Sequence, residues 1–225
     1  MHFLLIGASG RTGKEIVSFA LSHNHTITAL VRNTSSLNKQ AGLSITEGSP
    51  LKQEDIAAAI TSSPVKPDAI IVALSSLRSS DSPFSKPVSP PRLMTDSNAH
   101  AIVAMKKAGI KRIVTVSAFG VGDSNSNVFF PVRMILNHSN LAFGFEDHNA
   151  VEGLMRGTVG DIEWTLVRPV MLKEGPAKDT QVFGEQGQGV SRLASISRAS
   201  VAKFVIAECL EKSEWLRQTP VIANV

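Results

Sequence analysis

The sequence predicts an α/β protein in which a doubly wound parallel sheet carries helices on both faces within a single domain. Apolar strand-like runs alternate with amphipathic helical segments, an order typical of parallel sheets whose crossovers are helices. The chain has 225 residues, of which 43% are hydrophobic and 19% charged. That length and composition suit one globular domain with a full core, and no internal repeat is visible. We therefore expect one domain over 1–225.

Short apolar runs indicate the strands, and apolar residues at helical spacing indicate the helices. We predict strands at 2–6, 26–31, 43–47, 69–74, 112–117 and 163–168, with a last one near 219–223. We predict helices at 12–22, 51–61, 96–108, 146–157 and 198–211. Helix 96–108 carries typical end signals, since Lys106 and Lys107 lie in its last turn and Gly109 follows.

Three stretches interrupt this alternation, each after the carboxyl end of a predicted strand. They are 75–95, rich in Ser and Pro, 118–145, which contains several Phe residues, and 170–195, which contains several Gly residues. Because ligands bind at the carboxyl ends of strands in open α/β sheets, we predict substrate loops here, with mobile surface segments as the alternative. Six phenylalanines form a candidate pocket for a flat substrate, or else pack as ordinary core: Phe84, Phe119, Phe129, Phe130, Phe143 and Phe145.

The charge and composition limit the partners that we expect. The 23 basic and 19 acidic residues give a net charge of +4, and the basic residues are scattered, which argues against nucleic-acid binding. The apolar runs are shorter than the ~20 residues of a membrane span, and the N-terminal run is too short for a signal peptide. The single cysteine, Cys209, excludes an internal disulfide and is expected to be buried. We expect a cytoplasmic monomer or weak homodimer with a small-molecule substrate and no metal.

The most informative segment is GASGRTG at 7–13, directly after a strand and before a helix. Gly7 allows a sharp turn, Gly10 allows the backbone to approach a phosphate, and Gly13 allows the helix to pack close to the sheet. Taken alone, the motif could also be a glycine-rich turn with no ligand-binding role. Its position between strand and helix favours a pyrophosphate site of a Rossmann-type dinucleotide-binding sheet.

The end of the second strand favours NADP over NAD. An NAD site usually has an acidic residue here to bind the ribose 2′-hydroxyl. This chain has Arg32, followed by the hydroxyls of Thr34 and Ser35, and Arg11 adds a second cation from the glycine loop. A guanidinium and hydroxyls suit a 2′-phosphate. A solvated strand-end arginine is the alternative.

The chain has no tyrosine and no lysine between Lys111 and Lys173, so a catalytic Tyr–Lys pair is excluded. Ser117, at the end of the fifth strand, is a candidate to polarise the substrate or hold the nicotinamide, or else only caps the strand. His148 is the best candidate for a proton donor near neutral pH. Glu146 and Asp147 beside it are also titratable, with a role at the helix start as the alternative.

The chain resembles the atypical short-chain dehydrogenase/reductases of the NAD(P)-binding, NmrA-like type, and within them the biliverdin reductase B group of NADPH-dependent flavin reductases. The resemblance covers nearly the whole chain. Its motifs are GASGRTG at 7–13, TALVR at 28–32, AIVAMKKAGIKRIV at 101–114, SAF at 117–119, the DH pair at 147–148, VRP at 167–169 and SRLASISRASVAKFVIAECL at 191–210.

The resemblance implies which residues bind the cofactor. These are Gly7, Ser9, Gly10, Arg11, Thr12 and Gly13 at the pyrophosphate, Arg32 at the 2′-phosphate, Leu74 and Arg78 after the fourth strand, and Ser117, Pro169, Val170 and Met171 at the nicotinamide. It implies an NADPH-dependent reductase that works without a Tyr–Lys pair on a flat acceptor such as a flavin, quinone, enone or tetrapyrrole. An NADP(H)-binding regulator without catalysis, and an isomerase or cyclase of secondary metabolism, are the alternatives.

Overall fold

The computed structural model describes residues 1–80 and 82–225 and has the predicted α/β architecture. Residue 81, in the predicted loop 75–95, lies outside the described residues. The strands are β1 (His2–Ile6), β2 (Thr26–Val31), β3 (Leu43–Glu47), β4 (Ala69–Val72), β5 (Arg112–Val116), β6 (Glu163–Pro169), β7 (Met171–Lys173), β8 (Thr180–Val182), β9 (Ser195–Ser197) and β10 (Val221–Asn224). The helices are α1 (Arg11–Ser22), α2 (Gln53–Thr61), α3 (Leu93–Ala108), α4 (Phe130–His138), α5 (Ala142–Arg156) and α6 (Arg198–Lys203), which continues as a π-helical segment over Phe204–Glu211.

Eight strands form one mostly parallel sheet in the order β3-β2-β1-β4-β5-β6-β10-β8. The strand β1 pairs in parallel with β2 on one side and with β4 on the other. The order of strands along the chain therefore reverses between β1 and β4, and a crevice opens at their carboxyl ends, where open α/β sheets bind ligands. Only β8, at one edge, runs antiparallel to its neighbour β10.

The core lies on both faces of the sheet. In β1, Phe3 and Leu5 pack on the face covered by α1 and α6, whereas Leu4 and Ile6 pack on the face covered by α2, α3 and α5. All four side chains are fully buried. A parallel strand covered on both faces is apolar at every position, which explains the continuous apolar run in the sequence.

The predicted element order is confirmed, but two of the predicted loops contain structure of their own. Stretch 118–145 contains α4, and stretch 170–195 contains β7, β8 and β9. The helix α4 buries none of its residues, and the three strands have three residues each. Elements this short or this exposed leave no periodic apolar signal in a sequence.

A buried ion-pair network connects these two stretches to the sheet. Arg168 of β6 is fully buried and bonds the carboxylates of Glu152 in α5 and Asp123 in stretch 118–145. It also donates to the carbonyl of Glu185, in stretch 170–195. One side chain therefore fixes both stretches next to the carboxyl end of β6.

Two further findings concern the described residues. No helix in residues 1–80 and 82–225 is both long and apolar enough to cross a membrane. Cys209 is fully buried as predicted, and burial raises the pKa of its thiol to about 12. That thiol is therefore un-ionised at neutral pH and unreactive as a nucleophile.

Candidate functional site

The glycine loop has the geometry that its spacing predicts. Gly7 has a φ of +93°, and a Cβ at this position would lie 2.5 Å from the carbonyl oxygen of Ala73. A Cβ on Gly13 would overlap the carbonyl of Gly7, so α1 packs against the loop closely enough to exclude any side chain. Both positions therefore require glycine, one for its backbone angle and one for its close approach.

The helix α1 presents an uncapped N-terminus to the crevice. Its first residues are Arg11, Thr12 and Gly13, and Gly10 precedes them with extended backbone and no side-chain cap. The first turn contains no acidic residue. An uncapped helix start carries partial positive charge and outward N–H groups, which together favour binding of a phosphate.

A groove of about 210 Å³ runs from this loop over the carboxyl ends of β1, β2 and β4. We call it the cofactor groove. It brings together five of the predicted cofactor residues: Gly7, Ser9, Gly10, Arg32 and Leu74. It is also lined by Ser49, Pro50 and Leu51, which were not predicted as site residues, although their position directly after the third strand is a usable signal.

Arg32 lines the groove, whereas Arg78 lies in the loop after β4 and is not part of the groove lining. Arg32 is exposed and directly follows β2, before a short turn in which Asn33 accepts hydrogen bonds from the backbone N–H and hydroxyl of Ser35. Arg78 is partly buried, and its Nε donates to the carbonyl of Ser82, 3.3 Å away. The cofactor roles of both arginines stay predictions.

Ser117 lies beside the predicted nicotinamide segment. Its backbone N–H donates to Val167 at 2.7 Å, and the N–H of Phe119 donates to Pro169 at 2.9 Å, so β5 and β6 stay paired past the end of β5. The Ser117 hydroxyl is buried and has no hydrogen-bond partner. A buried hydroxyl without a partner is destabilising, which makes Ser117 a strong candidate to contact a ligand.

A second cavity, of about 280 Å³, adjoins this segment, and we call it the apolar cavity. Val170 and Met171 line it together with two of the six candidate phenylalanines, Phe119 and Phe129. The rest of its lining is Asn127, Val128, Val132, Val190, Ser191, Arg192 and Ala194. Its size and its largely apolar wall suit a small flat ligand.

The protonation state of His148 differs from the one that a proton donor near neutral pH requires. It is buried in α5, and desolvation lowers the pKa of its imidazole from the ordinary 6.5 to about 4. His148 is therefore neutral at pH 7 and does not carry the extra proton that a donor near neutral pH requires. Its Nδ1 is buried without a partner. A catalytic role for His148 stays a prediction, restricted to the neutral imidazole.

Asp147 has a structural role that its neighbours in sequence do not reveal. The helix α5 begins at Ala142, so Asp147 is not at the helix start. Its carboxylate accepts hydrogen bonds from the backbone N–H groups of Met94 and Thr95, at 2.8 and 2.9 Å. Asp147 therefore caps the N-terminus of α3 from another helix.

Several known proteins are similar to this chain over most or all of its length. The chain is 31% identical to an uncharacterized sugar epimerase, YhfK of Bacillus subtilis, over 95% of this chain and 90% of the relative. It is 26% identical over its full length to the photosystem II assembly factor Ycf39 of Synechocystis sp., of which it spans 63%. The solved structure of the anaerobilin reductase ChuY from Escherichia coli O157:H7 is 20% identical and superposes with a TM-score of 0.73, covering 99% of this chain and 96% of ChuY.

The glycine loop, the uncapped helix and the groove at the reversal of strand order are the parts of a nicotinamide dinucleotide site. A family model described as NAD(P)H-binding matches residues 7–212, which includes all of these parts. The chain therefore belongs to this NAD(P)H-binding family, which is consistent with the atypical short-chain dehydrogenase/reductase that the sequence predicts.

Proposed function

We propose that this protein is an NADPH-dependent reductase that delivers hydride to a flat, conjugated acceptor such as a flavin, quinone, enone or linear tetrapyrrole. The observation that carries the proposal is the position of the Pro169–Met171 segment. It pairs with the Ser117–Phe119 segment, whose buried Ser117 hydroxyl lacks a partner. Its Val170 and Met171 also line the apolar cavity, together with Phe119. A nicotinamide at Ser117 would then face a flat substrate in that cavity.

The preference for NADPH rests on Arg32. Arg32 directly follows β2 and lines the cofactor groove, and Thr34 and Ser35 add hydroxyl groups in the next turn. Position 32 carries no carboxylate to bind a ribose 2′-hydroxyl and to repel a 2′-phosphate. A charged hydrogen-bond donor beside hydroxyl groups supports binding of NADPH, with its 2′-phosphate, over NADH, with its 2′-hydroxyl.

The chemistry suits an acceptor that needs little acid assistance. NADPH, when bound, supplies the hydride. The chain has no tyrosine, and His148 is neutral at pH 7, so no strong general acid is at hand. Conjugated acceptors delocalise the charge of the added hydride and take up the proton from water afterwards. Ser117 would donate one hydrogen bond to the acceptor or to the nicotinamide amide.

The test is turnover of NADPH with purified protein. Oxidation of NADPH is followed at the nicotinamide absorbance band with FMN, menadione and biliverdin as separate acceptors, and with NADH in place of NADPH. We expect turnover with at least one acceptor and a faster rate with NADPH. If NADPH binds but none of the three acceptors oxidises it, the proposal is wrong.

A regulator that binds NADP(H) without chemistry is the second candidate, and the absence of a Tyr–Lys pair favours it as well. It predicts that NADPH and NADP⁺ bind with measurable and different affinities while every acceptor fails. The name of YhfK, a sugar epimerase, supports isomerase activity as a further alternative. In that case the product has the same oxidation state as the substrate, and there is no net loss of NADPH. Titration calorimetry with both cofactor forms and analysis of products separate these outcomes.

A further inference from the structure

Arg192 places a positive charge at the wall of the apolar cavity. Its guanidinium carbon lies 4.7 Å from the centroid of the Phe129 ring, which also lines the cavity. Arg192 is the only charged side chain among the lining residues that the structure describes. It forms no ion pair with any acidic residue in residues 1–80 and 82–225. Arg192 is exposed, so water solvates its guanidinium at the rim of the cavity, where it is accessible to a ligand of opposite charge.

The backbone around Arg192 fixes its position relative to the predicted nicotinamide segment. The N–H of Ala194 donates to the carbonyl of Ser191 at 3.0 Å, which closes a turn around Arg192. The strand β9 follows at once and pairs with β7, where Ser195 lies opposite Met171. One short turn therefore joins the backbone of Arg192 to the strand pair that contains Met171.

The contact with Phe129 leaves the guanidinium donors available. A cation–π contact uses the charge of the guanidinium and does not consume its N–H groups. Those donors match the two oxygens of a carboxylate or phosphate. The comparable pair on α4 is different, because Arg133 stacks on Phe130 at 5.6 Å but donates to the carbonyl of Ser126 and does not line the cavity.

We propose that Arg192 is a specificity residue that binds a carboxylate or phosphate carried by the flat acceptor. The proposal rests on the proposed reductase function and narrows it, because it makes the substrate class anionic conjugated compounds. Neutral quinones and enones would then be poorer substrates than acids of similar shape. Stacking on Phe129 without any ligand contact is the competing explanation.

The test uses pairs of probes that share one ring system and differ in charge. FMN is compared with riboflavin for a phosphate, and biliverdin with its dimethyl ester for carboxylates. For each pair the ratio of kcat/KM, anion over neutral, is measured in the wild type, in Arg192→Gln and in the control Arg133→Gln. Kd values are measured in parallel with NADP⁺ present, by quenching of flavin fluorescence and by tetrapyrrole absorbance.

We expect a ratio of roughly 10 or more for at least one pair in the wild type and in Arg133→Gln, the size of one charge-assisted hydrogen bond. In Arg192→Gln the ratio falls toward one. The pair that responds identifies the anion as phosphate or carboxylate. Ratios near one for both pairs in the wild type, ratios that Arg192→Gln leaves unchanged, or a failure of both anionic probes to bind would each overturn the proposal.

The two readouts separate this inference from the proposed function. If anionic probes bind more tightly through Arg192 but no probe oxidises NADPH, the reductase proposal fails and the anion site stands. If the probes are reduced but the anion-over-neutral ratio of kcat/KM is the same in the wild type and in Arg192→Gln, the reductase proposal stands and the anion site fails.

Discussion

The carboxylate of Glu152 accepts a hydrogen bond from the guanidinium of Arg168, and the two side chains are 9% and 0% exposed. This ion pair joins α5 to β6 below the carboxyl edge of the sheet. Asp123 also bonds Arg168, at 2.7 Å, but its side chain is 41% exposed. Glu152 is therefore the buried counter-charge of Arg168.

Replacing Glu152 by Ala should strongly destabilise the protein. The change leaves the fully buried Arg168 with only a partly exposed partner, and breaking such a pair on one side costs about 3 kcal/mol. Urea unfolding measures the loss. The control is Asp161→Asn, which removes an ion pair with Lys111 whose side chains are both largely exposed and should change little. Equal effects of the two substitutions would contradict the structural role of Glu152.

Replacing Ser117 by Ala should lower activity without lowering stability. The hydroxyl is buried and unpaired, so its removal leaves the free energy of unfolding unchanged or raises it by up to about 1 kcal/mol. The rate of NADPH oxidation should fall by about 100-fold if the hydroxyl bonds the reacting groups. Steady-state kinetics and urea unfolding on the same preparation check both.

Ser124 supplies the matched control for this substitution. Its hydroxyl is equally buried, but it donates to Val121 at 2.7 Å and accepts from Gly120 at 2.9 Å. Ser124→Ala should therefore lose stability by about 1–3 kcal/mol, because a buried N–H is left unpaired. A Ser117→Ala variant that behaves like Ser124→Ala, with lower stability and an intact rate, would show that Ser117 is structural.

The buried imidazole of His148 should make stability depend on pH below neutrality. Its pKa is about 4 in the folded state against an ordinary 6.5, so the unfolded chain binds a proton that the folded chain does not. The contribution is fully present above pH 6.5 and is lost as the pH falls toward 4. At pH 5 the loss is about 2 kcal/mol relative to pH 8.

The measurement is urea unfolding at pH 5 and pH 8 in the wild type and in His148→Gln. The variant should show the smaller difference between the two pH values. Burial also lowers the pKa of His2, so some dependence of the same sign remains in the variant. Identical pH differences in the two proteins would mean that His148 is more accessible to water than the structure shows.

Replacing Arg32 by Glu should remove the preference for NADPH. A carboxylate at this position repels a 2′-phosphate and accepts from a ribose 2′-hydroxyl, so the Kd for NADPH should rise by about 10- to 100-fold. The Kd for NADH should change little or fall. Titration of nicotinamide fluorescence measures both values.

A distant change of the same charge controls for long-range electrostatics. Lys66 is exposed and precedes β4, so it lies at the amino ends of the strands, opposite the cofactor groove. Lys66→Glu should leave both Kd values unaltered. An unchanged affinity for NADPH in Arg32→Glu would refute the assignment of the 2′-phosphate site.

Much of the cofactor groove could be predicted from the sequence because its parts are local. Gly7, Gly10 and Arg32 are each recognised from the few residues on either side, and the strand–loop–helix order brings them to one edge of the sheet. Ser49–Leu51 were missed although they follow a predicted strand. Arg192 was missed because β9, which places it beside Met171, has only three residues and no pattern of its own.

The sequence by itself determined the order of strands and helices, the class of cofactor and the absence of a Tyr–Lys pair, since these depend on composition and on short-range patterns. Only the tertiary structure showed the surroundings of Asp147, His148 and Arg192. Asp147 caps a helix more than fifty residues earlier in the chain, and His148 is neutral because neighbouring elements exclude water. Burial and pairing of charge arise from contacts between distant segments, and a linear pattern does not contain them.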